Sequence, residues 1–361
     1  MNNMPAKVMN IQELLEIAIK QSASDLHLTV GMRPLLRVDG DLHQLVNFDV
    51  LTSEVLMGQI ESLMSDEQKN LFESNRDLDF SFEFEKIARF RVNAYFQLGN
   101  PAAALRLVTM KIPTIDELNL PAVCHWFAQL KQGLVLVTGP TGHGKSTTQA
   151  AIINQVNQTR ADHIVTIEDP IEYVHTPNKC LISQRELHSD TLSWSVALKS
   201  VLREDPNVVL IGEMRDFETI ESALTIAETG HLVLATLHTN SAAQTIDRIV
   251  GVFPPHQQNQ IRMQLASVMS GVFSQRLLPA IGGGRVVAYE ILLNNPAVQT
   301  SIREGKTHMI DNIIMTSSDI GMSLLENSLA RLVNQQVVEA DMAESFAVRP
   351  EELIRQIHKK K

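Results

Sequence analysis

The stretch VTGPTGHGKSTT, Val137–Thr148, constrains this chain more than any other. It fits G-x-x-x-x-G-K-[ST], with Gly139, Gly144, Lys145 and Ser146 in the fixed places. The run GLVLVTG ahead of it is short, apolar and β-branched, and reads as a buried strand. STTQAAIINQVNQ after it lacks Gly and Pro and reads as a helix. Strand, loop and helix together are the setting in which such a loop holds phosphate. Its backbone N–H groups form a concave nest, and the helix N-terminus adds partial positive charge. The nucleotide-binding positions are therefore Gly139, Pro140, Thr141, Gly142, His143, Gly144, Lys145, Ser146 and Thr147. Lys145 can reach the terminal phosphates of ATP, and Ser146 can hold Mg²⁺. A chance match is the alternative, and the flanking strand and helix weigh against it.

From this loop onward, apolar strands alternate with helical segments: GLVLVTG, HIVTIED, NVVLIGE, HLVLATLHT and RVVAYEILL. The alternation predicts an α/β fold with a parallel sheet and right-handed crossovers. Ligands then sit at the C-terminal ends of the strands. The first third reads differently, as α+β. IQELLEIAIKQ carries a helical apolar stripe at 11, 14, 15, 18 and 19. SDLHLTV alternates like a strand, and PLLRVDGDLHQL predicts a hairpin turning at Asp39-Gly40. TSEVLMGQIESLM and SDEQKNLFESN predict helices; FSFEF, RFRVNAYFQ and AAALRLV predict strands. The boundary falls in KIPTIDELNLP, where Thr114 and Glu117 have the spacing of a capping box that starts a short helix. The expected domains are 1–110 and 122–361, joined by a linker over 111–121.

Three strand ends carry chemistry. HIVTIEDPIEYVH delivers Glu168, Asp169 and Glu172. Carboxylates near a phosphate loop repel ATP unless Mg²⁺ or water lies between, so Glu168 and Asp169 are expected to organise the metal and Glu172 to polarise the attacking water. An acidic turn capping a helix is the alternative. NVVLIGEMRD ends in Glu213, Arg215 and Asp216, a Walker B pattern with Glu as the acid of the Mg²⁺ shell. HLVLATLHTNSA ends in Thr236, His238, Thr239 and Asn240, groups able to sense a γ-phosphate. His163 and His231 read as structural. Phosphoryl transfer also calls for extra positive charge on the phosphates. Arg89, Arg91 and Arg106 lie on first-domain strands and can serve a neighbouring subunit's site, or merely line a solvated sheet face.

Composition closes off other classes. The 361 residues carry a net charge of −10, which argues against a general nucleic-acid coat. Cys124 and Cys180 are far apart, so no zinc knuckle or disulfide framework is expected. MNNMPAKVMN has no apolar signal core, and no apolar run has the length of a membrane span. The chain is expected to be soluble, with the C-terminal HKKK simply solvated.

GPTGHGKSTT, IEDPIEYVH, LREDPNVVLIGEMRDFETIESALTIAETGHLVLATLHTNSA and RIVGVFPPHQQNQIRMQLA together resemble the PilT family. This is the retraction-motor branch of the type II/IV secretion ATPases. The resemblance runs from SDLHLTVG through GGGRVVAYEILLN into the C-terminal helices, nearly the whole chain. It implies a PAS-like α+β N-terminal domain, a RecA-like P-loop ATPase domain and a homohexameric ring with nucleotide between the domains. It implies that Glu172 activates water, that Glu213 is the Walker B acid, that His238 is the His-box histidine, and that Arg91 and Arg106 complete the site. ATP and Mg²⁺ are the implied cofactors. The implied setting is cytoplasmic, at the inner face of the cytoplasmic membrane on a pilus platform protein, with a second retraction ATPase as a further partner.

Two departures stand out. AVQTSIRE, 297–304, replaces an AIRNLIRE-type motif linked to retraction, with Thr300 for Asn and Ser301 for Leu. His143 occupies a position where the family usually has a small residue. The competing readings are a PilU-like accessory ATPase, an extension or secretion ATPase, a weakly hydrolysing regulatory module and a RecA-like DNA motor. Extension and secretion types usually have an extra N-terminal domain and often a four-cysteine zinc insertion, neither of which is read here. GEMRDFETI and TLHTNSA fit the PilT branch better than PilU. The intact set of Lys145, Ser146, Glu172 and Glu213 argues against a regulatory module, and the acidic charge argues against a DNA motor.

Overall fold

A computed structural model describes residues 10–21, 23–38, 40–85, 87–108 and 112–358. Asp39 of the expected hairpin turn, Lys111 at the expected boundary, residues 1–9 and the last three lysines lie outside the described residues. The chain divides into two compact units, Met1–Lys111 and Ile112–Lys361.

The first unit opens with α1 (Ile11–Lys20), whose stripe buries Ile11, Leu14, Leu15 and Ala18. Next come β1 (Asp25–Thr29), β2 (Leu35–Val38), β3 (Asp41–Gln44), α2 (Ser53–Glu61) and α3 (Asp66–Asn75). Ser65 and Gln68 form a reciprocal capping box that starts α3. The unit closes with β4 (Asp77–Phe84), β5 (Ala88–Gln97) and β6 (Asn100–Val108). Its sheet is antiparallel throughout, in the order β3-β2-β1-β6-β5-β4. Period-two alternation sorts the side chains. On β5, Ala88, Phe90, Val92 and Ala94 are buried in the core with Leu14, Leu56 and Phe72. Arg89, Arg91 and Asn93 therefore take the other face.

The expected short helix after Thr114 does not form. The reciprocal bonds do: Thr114 N–H donates to Glu117 Oε2 (2.7 Å) and Glu117 N–H to Thr114 Oγ1 (3.1 Å). The segment stays a run of turns because Asn119 adopts φ 52°, a left-handed conformation that ends a helix before it can propagate.

The second unit continues with α4 (Ala122–Gln129), β7 (Gly133–Thr138), α5 (Lys145–Thr159), β8 (His163–Glu168), β9 (Leu181–Glu186), α6 (Trp194–Val201), β10 (Val208–Ile211), α7 (Phe217–Glu228), β11 (Leu232–Leu237), α8 (Ala242–Gly251) and α9 (Pro255–Val268). It ends with β12 (Met269–Pro279), β13 (Arg285–Leu293), α10 (Pro296–Arg303), α11 (Ile310–Thr316), α12 (Leu325–Asn334), α13 (Ala340–Phe346) and α14 (Pro350–His358). The sheet order is β13-β12-β7-β11-β10-β8-β9. β7, β10 and β11 are buried at every position, as strands covered on both faces must be.

The all-parallel expectation needs correction: this sheet is mixed. β13 runs antiparallel to β12, because residues 280–284 are too short a link for a parallel crossover. β9 and β12 were not anticipated as strands. β12 starts at the residue that caps α9, so no turn signal separates helix from strand.

The C-terminal helices hold one another partly through charge. Glu326 is fully buried, and its Oε1 accepts the backbone N–H groups of Val348 (3.1 Å) and Arg349 (2.8 Å). The Arg349 guanidinium pairs with Glu326 Oε2 (3.0 Å) and with Asp311. Arg349→Ala leaves the buried Glu326 without its counter-charge, with only the two backbone N–H groups on it, and is expected to cost this unit about 3 kcal/mol. Thermal unfolding of the variant checks this, and a midpoint equal to that of the parent chain would show the network to be energetically neutral.

Candidate active site

The sheet order brings the chemical clusters into one row. β7, β11, β10 and β8 are consecutive neighbours and parallel. Their C-terminal ends therefore place the phosphate loop beside His238, His238 beside Glu213, and Glu213 beside the Glu168–Glu172 segment.

The loop itself depends on glycine at two points. Gly139 has φ 146°, and a Cβ there would lie 2.4 Å from Gln275 O. Gly144 has φ 81° and leads directly into α5. Both positions need a left-handed backbone that side chains resist. Lys145, 8% exposed, folds back over the loop. Its Nζ donates to Gly139 O (3.0 Å) and Pro140 O (3.1 Å) and lies 3.3 Å from His238 Nδ1. Thr141 Oγ1 lies 3.2 Å from the same nitrogen. Burial lowers the pKa of the Lys145 ammonium, while the nearby Glu213 and Glu172 carboxylates pull it the other way.

Glu213 is the electrostatic centre of the row. Its Oε1 takes Arg215 Nε at 2.7 Å and faces His238 Nε2 at 3.2 Å. Burial pushes the carboxyl up, but the Arg215 hydrogen bond and the charges of His238 and Arg215 outweigh it and hold the group below the usual glutamate range. Asp169 adds its field to Arg215. Glu172 is exposed at the head of the segment, close enough to act on Lys145. Tyr173 Oη meets Thr147 Oγ1 at 2.8 Å and ties that segment to the first turn of α5.

Glu168, expected as a metal ligand, is also engaged within the fold. Its carboxylate accepts from Thr166 Oγ1 (2.7 Å), from Gln184 Nε2 (3.4 Å) and from the Glu172 backbone. Burial nonetheless pushes it up to about 7. In this arrangement it braces the turn that presents Glu172. Other expected residues also have structural duties. Asp216 caps α7 by accepting Thr219 N–H (2.8 Å). Thr236 Oγ1 donates to Gly212 O (2.6 Å), and Thr239 Oγ1 meets Thr245 Oγ1 (2.7 Å). Asn240 accepts from Arg276 Nη2 at its backbone O (2.9 Å) and Oδ1 (3.0 Å). Of that strand end, His238 is the group turned toward Lys145 and Glu213.

Arg91 and Arg106 belong to the first unit. They face each other across β5 and β6. Arg106 Nε donates to Asp25 Oδ1 (2.9 Å), and Arg91 Nε lies 3.7 Å from Asp79 Oδ1. With Asn93 and Ala104 these four line a recess of about 290 Å³. Two like charges directly opposite each other are unfavourable on a sheet, and the two aspartates offset them. Burial raises the Asp25 pKa, but hydrogen bonds from Ser24 and Arg106 hold it below the usual aspartate value.

Sequence reasoning missed Gln275 and Arg276, which are 1% and 6% exposed and both touch the loops of this site. The available signal was the polar triplet SQR inside the otherwise apolar run VFSQRLL.

The family described as Type II/IV secretion system protein matches residues 3–283. The type IV pilus retraction ATPase PilT of Pseudomonas aeruginosa is 48% identical over 343 residues, covering 95% of this chain and 99% of that protein. The twitching motility protein of Neisseria gonorrhoeae is 47% identical, covering 89% and 86% respectively. A crystal structure of the pilus retraction motor PilT with bound ADP superposes with a TM-score of 0.90 at 45% identity, over 96% of this chain and 99% of that one.

Proposed function

This chain belongs to the type II/IV secretion system protein family, and from that premise we infer that it hydrolyses ATP to drive retraction of type IV pili. The observation that carries the chemistry is the convergence of Lys145, His238, Glu213 and Glu172 on one phosphate loop.

The loop binds the phosphates through backbone N–H groups, with Lys145 supplying charge at the terminal ones. Glu172 takes the proton of the attacking water. Glu213 stays ionised and orients His238, which reports on the γ-phosphate. Mg²⁺ suits this donor set, because it binds through one or two oxygen ligands together with phosphates and retained waters. Ser146, Glu213 and Asp169 are the residues that would hold it, where it neutralises phosphate charge. Glu168 then serves as the brace for Glu172 rather than as a ligand.

The first unit is PAS-like and the second RecA-like in this reading, and six copies form a closed ring. Arg91 and Arg106 of one subunit complete the site of the next. A head-to-tail ring interface lets closure of one site open its neighbour. The ring works in the cytoplasm against an inner-membrane pilus platform protein, with a second retraction ATPase as a further partner. Nucleic acid and zinc have no part in it. Among the described residues no helix is long and apolar enough to cross a membrane. The altered late motif lies on α10, with Val298, Ser301 and Ile302 buried and Thr300 on the outside.

Live imaging of labelled pili in cells carrying Lys145→Ala tests the assignment. Abundant pili that never shorten are the expected result. Bald cells would identify an extension motor, and normal extension and retraction would leave only an accessory role.

A further inference from the structure

The phosphate loop is clasped from behind by one short piece of β12. Gln275 Nε2 donates to His143 O at 2.6 Å. Its Oε1 accepts from Thr148 Oγ1, in the first turn of α5, at 2.8 Å. Leu277 N–H donates to the ring Nδ1 of His143 at 3.0 Å. The packing is close: a Cβ on Gly144 would come within 3.2 Å of both the Gln275 amide nitrogen and the Leu277 side chain. The His143 ring also lies 6.1 Å, centroid to centroid, from Phe346 at the end of α13. Phe346 packs in turn on the core of the C-terminal helices. Between these two contacts Arg276 reaches Asn240 in the loop that follows His238.

We propose that His143 is a positioning residue that latches the phosphate loop to β12 through its ring Nδ1, with the ring set against Phe346 of α13, and so sets the loop's affinity for nucleotide. The ring gives the loop a second hydrogen bond to β12 beside the one at its backbone carbonyl. A side chain at that position adds a second anchor, and the anchor leads to the C-terminal helices. The latch needs an unprotonated Nδ1, since that nitrogen accepts the Leu277 N–H. Burial, with Arg276, Lys145 and Arg285 nearby, lowers the ring's pKa and favours the neutral form. This inference rests on the loop being the nucleotide seat.

The test compares His143→Ala and His143→Asn in the full chain. Asn places an acceptor oxygen close to where Nδ1 lies, so it keeps the latch; Ala removes it. Losing one such hydrogen bond and its ordering effect should raise KM for ATP and Kd for ADP about fivefold in the Ala variant, with a smaller fall in kcat. The Asn variant should recover most of that loss. Hydrogen exchange of the segment around Leu277, measured without nucleotide, should quicken in the Ala variant and not in the Asn variant. Parental KM and Kd in the Ala variant would overturn the proposal. So would equal impairment of both variants, because the acceptor would then be irrelevant. If the parent chain bound no nucleotide while exchange at Leu277 still responded to Ala, the reading of the loop would fall and the latch itself would stand.

Discussion

Lys145→Ala is expected to reduce ATP hydrolysis by about 10²- to 10³-fold, the usual loss when one preorganised positive donor leaves a phosphoryl-transfer site. It should weaken nucleotide binding as well. Lys145 is almost wholly buried, and its ammonium is held at the loop by two carbonyls beside His238, so its positive charge already lies at the phosphate seat and exchanges carbonyl partners for phosphate oxygens when nucleotide arrives. Removing that charge leaves the terminal phosphates without it, which makes the loss large. Steady-state hydrolysis and ADP titration of the purified variant check this. Unchanged turnover would remove the loop from the catalytic site. Because Lys145 also bonds the loop, a thermal midpoint close to that of the parent is needed to assign the effect to lost charge and not to a collapsed loop.

The second large effect is expected at Glu172. Glu172→Gln keeps the shape of the side chain and the backbone N–H that serves Glu168, and removes only the ability to take a proton. ATP binding should stay within about threefold of the parent, while turnover falls by about 10²- to 10⁴-fold, the range for loss of a general base. The site separates its acids by environment. Desolvation pushes Glu168 up to about 7, Glu213 is held ionised by Arg215 and His238, and Glu172 is exposed. Of the three, Glu172 is the carboxylate with room for a water beside it. Normal turnover in the Gln variant would transfer the role to Asp169 or Glu213, and those substitutions would be the next to make.

Much of the site was readable along the chain because its parts are local. The phosphate loop and the acids at 168–172 and 213 each sit within a few residues of a strand end. A strand in an α/β sheet presents its C-terminal end to ligand whatever surrounds it. RFRVNAYFQ likewise reads as a strand, and its period of two puts Phe90 and Val92 on the buried face and Arg91 on the other. What the chain order did not show is the set of partners these groups take in the fold. Glu168 reads as a metal ligand in IEDPIE, and its carboxylate also accepts from nearby Thr166 and from Gln184, a strand away. Thr236 and Asn240 read as sensors, and their bonds to Gly212 and Arg276 link segments that only the folded sheet brings together.

Residue order alone therefore determined the phosphate loop, the acids at the strand ends, the α+β character of the first third and the α/β character of the rest. Each of these follows from spacing and polarity over a dozen residues or fewer. The neighbours of β7 were decided only by the folded chain. β12 lies directly beside it and braces the loop through Gln275, 132 positions away from His143. Strand order depends on which crossovers close with all faces covered, a free energy shared by the whole unit, so no local pattern encodes it. The clasp behind the loop, the row made of His238, Glu213 and Lys145, and the inward turn of Glu168 all depend on that choice.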